Sequence, residues 1–266
     1  MAELDLGRVV GKDGRDGTDG LSHNANLLDN AYFLNPVNQR GQTAYNAKGY
    51  TIDRWRVANS TVTVTLTAAG VQVSAGGALR QYITADTSGD LTAAVCTSDG
   101  TIYCATGNLA SGKISGSVFE VGTDDTGVYM FLFEGQTYRW AALYKGNYTL
   151  ETLPEFTAKG YAAELLECQR YFIRMKSFHV AGQMLTTGGR FGFTLPVQMR
   201  ITPTLTVTTK GTIICNGVKD IAVTGATLNA INRNRIQVYT EHESQSGWSN
   251  QTGTWLNGEF ELSADL

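Results

Sequence analysis

Residues 61–74 read TVTVTLTAAGVQVS. Val62, Val64 and Leu66 recur at every second position, and after a turn at Gly70 the alternation resumes with Val71 and Val73. A period of two puts these side chains on one face of a pleated strand, whereas a helix would scatter them around its axis. Val and Thr also prefer strands, because their branched β-carbons pack well on a pleated surface. The stretch therefore predicts a pair of antiparallel strands, one face apolar. The same pattern continues in ALRQYITA (78–85), LTAAVCTS (91–98), TIYCAT (101–106), KISGSVFEV (113–121), GVYMFLFEG (127–135) and QTYRWAALYKG (136–146). Turn residues separate them at Gly76-Gly77, Asp99-Gly100, Ser111-Gly112 and Asp124-Asp125. About eight short strands at this spacing predict a β-sandwich or jelly roll of antiparallel sheets.

One segment breaks the pattern. YAAELLECQR (161–170) holds good helix formers and no β-branched residue, with Leu165, Cys168 and Phe172 at helical spacing. It predicts a short helix. Beyond it, YFIRMKSFHV, FGFTLPVQM, TPTLTVTTKG, GTIICNG, IAVTGATLNAI, RIQVYTEH and GEFELSADL read as a second run of strands to residue 266. The expected fold class is all-β. A stub over 1–25 leads to a jelly-roll sandwich over 26–158, a linking helix and strand over 159–176, and a second β-sandwich over 177–266.

The stub carries Gly11, Gly14, Gly17 and Gly20 at strict three-residue spacing. Two readings fit it. Glycine at every third position allows three chains to wind around a crowded axis, which would make the chain part of a homotrimer. A flexible Gly/Asp linker has a similar composition, and the triplets lack proline.

Bulk properties exclude several classes. The chain has 266 residues, a net charge of −3 and 17% charged residues, with no basic run. That charge offers no general attraction to nucleic acid. No window approaches the roughly 20 apolar residues that span a bilayer, so membrane insertion is not expected. MAELDLGRVV lacks the basic-then-apolar order of a secretion signal, so synthesis in the cytoplasm is expected. Cys96, Cys104, Cys168 and Cys215 form no C-x-x-C pair, and buried reduced thiols are expected over a Cys96–Cys104 disulfide. His23, His179 and His242 lack zinc-site spacing, and no phosphate loop or nucleophile elbow is present, so neither metal nor cofactor is expected. The acid pairs Asp124/Asp125, Glu151/Glu155 and Glu241/Glu243 sit in polar contexts and read as solvated surface acids before glycosidase carboxylates.

Aromatic residues give the more useful lead. Trp55 and Trp140 have apolar, strand-like neighbours and read as core. Trp248 and Trp255 lie in SQSGWSNQTGTWLNG, a run of amides and hydroxyls. Aromatic faces among such groups suit sugar rings, which carry apolar C–H faces and many hydroxyls. The competing reading is that they plug the end of the last β unit. Trp248 and Trp255, with Tyr239 and Arg235 on the preceding strand, are the candidate glycan-binding residues.

Residues 26–57, NLLDNAYFLNPVNQRGQTAYNAKGYTIDRWRV, resemble the opening of a domain in phage and prophage tail-fibre or receptor-binding proteins, where N-L-L-x-N, N-Q-R-G and D-R-W recur. YRWAALYKG (138–146) and AAELLECQRYF (162–172) resemble two further blocks of the same proteins, in the same order. Tyr144 replaces the Glu usual in the first of them. The resemblance implies a jelly roll like those of carbohydrate-binding modules, assembled as a homotrimer in a virion fibre and without catalytic residues. It implies attachment to other virion proteins through the N-terminus and contact with a bacterial surface polysaccharide through residues 177–266. Arg40 and Arg54 are expected to fix loops by forked hydrogen bonds. A structural decoration fibre and a polysaccharide depolymerase are the alternatives.

Overall fold

The computed structural model describes residues 25–57, 62–215, 218–245, 247–248 and 251–265. The triplet glycines Gly11, Gly14, Gly17 and Gly20 lie outside the described residues. The first strands are β1 (Ala44–Tyr45), β2 (Gly49–Tyr50), β3 (Arg56–Val57), β4 (Val64–Thr67), β5 (Gly70–Val73) and β6 (Ala78–Tyr82). They are followed by β7 (Asp90–Thr97), β8 (Ile102–Asn108), β9 (Ile114–Ser115), β10 (Phe119–Asp124), β11 (Gly127–Phe133) and β12 (Gln136–Lys145). After the helix α1 (Tyr161–Gln169) come β13 (Phe172–Met184), β14 (Gly188–Thr194), β15 (Thr204–Thr209) and β16 (Thr212–Cys215), then β17 (Val218–Asn232), β18 (Arg235–His242) and β19 (Thr252–Ser263). Among the described residues the protein is all-β apart from this helix, which matches the segment predicted at 161–170. No helix among the described residues is long and apolar enough to cross a membrane.

Within the stretch TVTVTLTAAGVQVS, residues 64–73 form the β4–β5 hairpin, paired from Val64↔Val73 to Thr67↔Gly70. β1–β12 build two six-stranded antiparallel sheets, in the orders β1-β4-β5-β12-β7-β8 and β2-β3-β6-β11-β10-β9. The alternating residues point inward from both. Val64, Val71, Leu91, Val95, Tyr138 and Leu143 of the first sheet share one buried cluster with Val57, Leu79, Phe119, Val121 and Leu132 of the second. A slip of one residue would turn such a set out to water, so burial fixes the register. Residues 27–33, from LLDNAYFL, run along the rest of β12. Leu27 N–H donates to the Leu143 carbonyl, and Ala141 N–H to that of Ala31.

The second unit departs from expectation. It is one antiparallel sheet closed into a barrel, and the second two-sheet sandwich expected over 177–266 is absent. The strand order β13-β14-β18-β17-β16-β19 returns to β13, because β19 also pairs with β13 from Phe172↔Ser263 to Gln183↔Thr252. β15 and β16 follow one another along the other edge of β19. At the break between them, Gly211 has φ +69, and a Cβ there would lie 2.2 Å from the Leu256 carbonyl oxygen. Only glycine allows that bend at that distance. Closure leaves room inside for side chains alone, and Phe191, Trp255, Phe260, Val238 and Met199 fill it. The cysteines are all free: Cys96 sits opposite Ile102 and Cys104 opposite Ala94, so the first two never face each other across the hairpin.

Candidate functional site

The barrel sorts the candidate residues by strand parity. Trp255 is fully buried inside it, 4.7 Å edge-on from Phe178 and 5.5 Å from Phe191, and its Nε1–H donates to the Lys210 carbonyl at 2.7 Å. Trp248 is 2% exposed and lies edge-on to His242 at 5.0 Å. Both tryptophans are therefore core residues of this chain, and neither offers a face to a sugar. The polar run that contains them is in part strand β19, where Gly253, Trp255, Gly258, Phe260 and Leu262 take the inward positions.

Tyr239 and Arg235 stand on the opposite face. Along β18, Ile236, Val238, Thr240 and His242 are buried, while Arg235, Gln237, Tyr239 and Glu241 project outward. Pairing sets Thr227 of β17 and Arg190 of β14 on either side of Tyr239, with Gln183 of β13 beyond Arg190. The row thus crosses four neighbouring strands. Gly188 lies diagonally under Tyr239. A Cβ built at Gly188 would fall 2.5 Å from Tyr239 Oη and 2.7 Å from its Cζ. Without that Cβ, the half-buried ring lies down on the sheet. A ring laid flat among an arginine, a threonine and two glutamines makes a shallow apolar platform with donors and acceptors at its edge, which is the chemistry a sugar ring needs. Gly188, Arg190, Gln183 and Gln237 were not singled out in the sequence. The signal that marks them is a glycine at an outward strand position, in GGRFGF, paired with an aromatic strand.

The blocks that resemble the fibre proteins come together elsewhere, at the joint between sandwich, helix and barrel. Asn30 takes a loop-clamp role: its Nδ2 donates to the Val37 and Asp53 carbonyls, its Oδ1 accepts from Val37 N–H, and its own N–H donates to Glu164 of α1. Trp55 Nε1–H donates to the Asn30 carbonyl at 2.9 Å. Arg54 has φ +71, a conformation that costs an L-residue free energy unless its surroundings impose it. Its surroundings do: Nε donates to Asp29 at 2.8 Å, Nη2 donates to the Tyr82 carbonyl, and the guanidinium lies 3.5 Å over the Tyr171 ring. Arg40 forks between Asp53 at 3.1 Å and Asp265 at 2.8 Å, stacked 3.8 Å over Phe172. Both arginines therefore make the forked bonds expected of them. Burial pushes the Asp53 carboxyl up to about 6, against the pull of the Gln39 N–H and Arg40. Burial likewise pushes the Cys168 thiol well above its ordinary range. Asp29, Glu164 and Glu167 each bring a carboxylate oxygen within 4.8 Å of the others. Each has a protein partner, namely Arg54, the Asn30 N–H and Lys159.

Comparison of the chain with known protein families, with curated proteins and with solved structures finds no match.

Proposed function

We propose that the chain is a non-enzymatic component of a phage virion fibre, assembled as a homotrimer, that binds bacterial surface glycan on the outer face of its barrel. The observation that carries the reading is the Tyr239 ring laid over Gly188 and flanked by Arg190 and Thr227. A shallow site of this kind binds weakly alone, and repetition on a threefold fibre multiplies it through effective concentration. Jelly-roll architecture for the sandwich is supported by β5, β6 and β7, and by β11 and β12, which alternate between the two sheets. The β2–β3, β4–β5, β7–β8, β9–β10 and β10–β11 connections stay within one sheet and depart from strict alternation. In this reading the triplets at residues 11–20 belong to the end that attaches to other virion proteins.

The test is adsorption of the purified chain to host cells and to their extracted polysaccharide, with sedimentation run in parallel. Tyr239→Ala is expected to stay a trimer and to lose most of its adsorption. Unchanged adsorption with the trimer intact would leave a purely structural fibre. Release of oligosaccharides from the polysaccharide would make the chain a depolymerase.

A further inference from the structure

A cleft of about 330 Å³ opens where the sandwich meets the barrel. Arg40, Gln42, Asn46, Lys48 and Tyr50 line it from one side, Arg174 and Glu261 from the other. We propose that this cleft is a second binding site, taking one carboxylate-bearing sugar unit of an acidic glycan. The proposal rests on the glycan reading above and names a different place and a narrower ligand class.

The argument follows the cations. Arg40 is engaged by Asp53 and Asp265, so its charge is already answered. Arg174 donates from Nη1 to the Arg40 carbonyl at 2.7 Å. Its Nε is buried without a hydrogen-bond partner, and its charge is answered by Glu261 Oε1 and Glu259 Oε2, each at 3.7 Å. Lys48 is exposed at the mouth and pairs with no acid among the described residues. It is the cation left to meet an anion brought by a ligand.

The remaining walls select for a sugar over a bare anion. Tyr50 is half-buried, with the guanidinium of Arg40 5.2 Å and that of Arg56 5.7 Å from its ring centroid. Those contacts hold the ring in the cleft wall, where it adds apolar surface. Gln42, Asn46 and Glu261 supply amides and a carboxylate for hydroxyls. The volume sits near the lower end of the roughly 300–1,000 Å³ usual for small-molecule sites, which suits one or two sugar units. One free cation implies one anionic group per unit, as in a uronic acid.

The experiment is calorimetric titration of the full chain with a glucuronic-acid-containing disaccharide, with its neutral glucose counterpart and with inorganic phosphate. Binding of the acidic disaccharide is expected, weakening as salt is added. The neutral counterpart is expected to bind about tenfold more weakly, as a lost charged contact implies. Lys48→Ala, at an exposed position, should fold normally and lose about the same factor. Tyr50→Leu should weaken both sugars. The binding lost in Lys48→Ala should persist in Tyr239→Ala, since Lys48 lines the cleft and Tyr239 lies on the outer barrel face. Equal affinity for the neutral sugar, no effect of Lys48→Ala, or phosphate competing as well as the disaccharide each overturns the proposal. If Tyr239→Ala abolishes cell adsorption while the disaccharide titration is blank, the cleft falls and the glycan reading stands. If both are without effect, both fall.

Discussion

Arg40 holds Asp265 at 2.8 Å across 225 residues of sequence, and so ties the sandwich to the end of the barrel. The other nitrogen of the same fork holds Asp53 in the sandwich. The Gln39 amide adds a bond to the Phe172 carbonyl at the first barrel strand, and Arg174 returns one to the Arg40 carbonyl. The joint between the two β units is thus a polar seam of directed bonds.

Removing the fork leaves two buried carboxylates without their cation. Arg40→Met is expected to lower the unfolding free energy by about 3–5 kcal/mol, the cost of breaking a buried pair from one side. Arg40→Lys should recover little, because an ammonium group cannot bridge two carboxylates in a planar fork. Urea titration followed by tryptophan fluorescence checks both. A loss below about 0.5 kcal/mol, the scale of an exposed pair, would show that the fork is idle.

The seam also sets a pH dependence. Burial raises the Asp53 carboxyl from 3.8 in the unfolded chain to about 6 in the folded one. The folded state therefore binds the proton more tightly, and the stability from this group is full below pH 3.8 and lost as pH rises through about 6. The rise is worth about 3 kcal/mol. Burial pushes the Glu164 and Asp265 carboxyls the same way. Asp86 and Asp99, held down to about 2 by side-chain hydrogen bonds, oppose the trend only in stronger acid. Stability measured between pH 4 and 7 should fall as pH rises, and Asp53→Asn should flatten the slope. A slope of the opposite sign would mean that Arg40 compensates the burial of Asp53 in full.

Gly188 and Tyr239 make a paired test of the platform. A Cβ at Gly188 would lie 2.5 Å from the Thr240 carbonyl oxygen as well as from Tyr239 Oη. Gly188→Ala should therefore cost about 1–3 kcal/mol, as overpacking does, and displace the ring. Tyr239→Phe keeps the ring and should leave stability nearly unchanged. Thermal melts, read beside polysaccharide binding, separate loss of fold from loss of the platform. Wild-type stability in Gly188→Ala would show that the ring does not lie where described.

The two tryptophans should behave as core. Trp255→Ala is expected to lose about 3–5 kcal/mol, the usual cost of deleting a buried aromatic side chain. Trp255→Phe should cost less, keeping the ring packing but losing the bond to Lys210. Near-ultraviolet dichroism and denaturant midpoints report both. A stable Trp255→Ala with impaired sugar binding would restore the sugar-facing reading.

Most strands of the sandwich and the helix were legible in sequence because each is a local signal. Val62 to Val73 alternate, and YAAELLECQR has no β-branched residue. Barrel closure was not legible, because it depends on pairing Phe172 with Ser263. No local pattern distinguishes a strand that closes a ring from one that ends a sandwich. The tryptophans were left between a sugar-facing and a core reading for a related reason. Asn257 has φ +53 and shifts the phase of β19, so Trp255 and Phe260 both point inward although five positions apart. Read without that shift, TGTWLNG is a polar loop. Tyr239 and Arg235 stood out as polar-strand residues, but the glycine beneath the ring is visible only in the register. Likewise, the sequence suggested that Arg40 and Arg54 fix loops but could not name Asp265 as a partner.

The last strand bonds along one edge to β13 and along the other to β15 and β16. That arrangement orders events during synthesis. The sandwich is complete once the chain has emerged past Lys145, and nearly all of its strand partners are by then available. The barrel cannot close until residues 252–263 have left the ribosome, so until then β13 and β16 each keep one open edge and β15 has no strand partner. Pairings this distant in sequence form slowly, because the loop must close before any contact rewards it. In that interval the open edges of β13 and β16 are where a neighbouring nascent chain can mispair. Arrival of the closing strand ends the interval in which such mispairing is open to the chain.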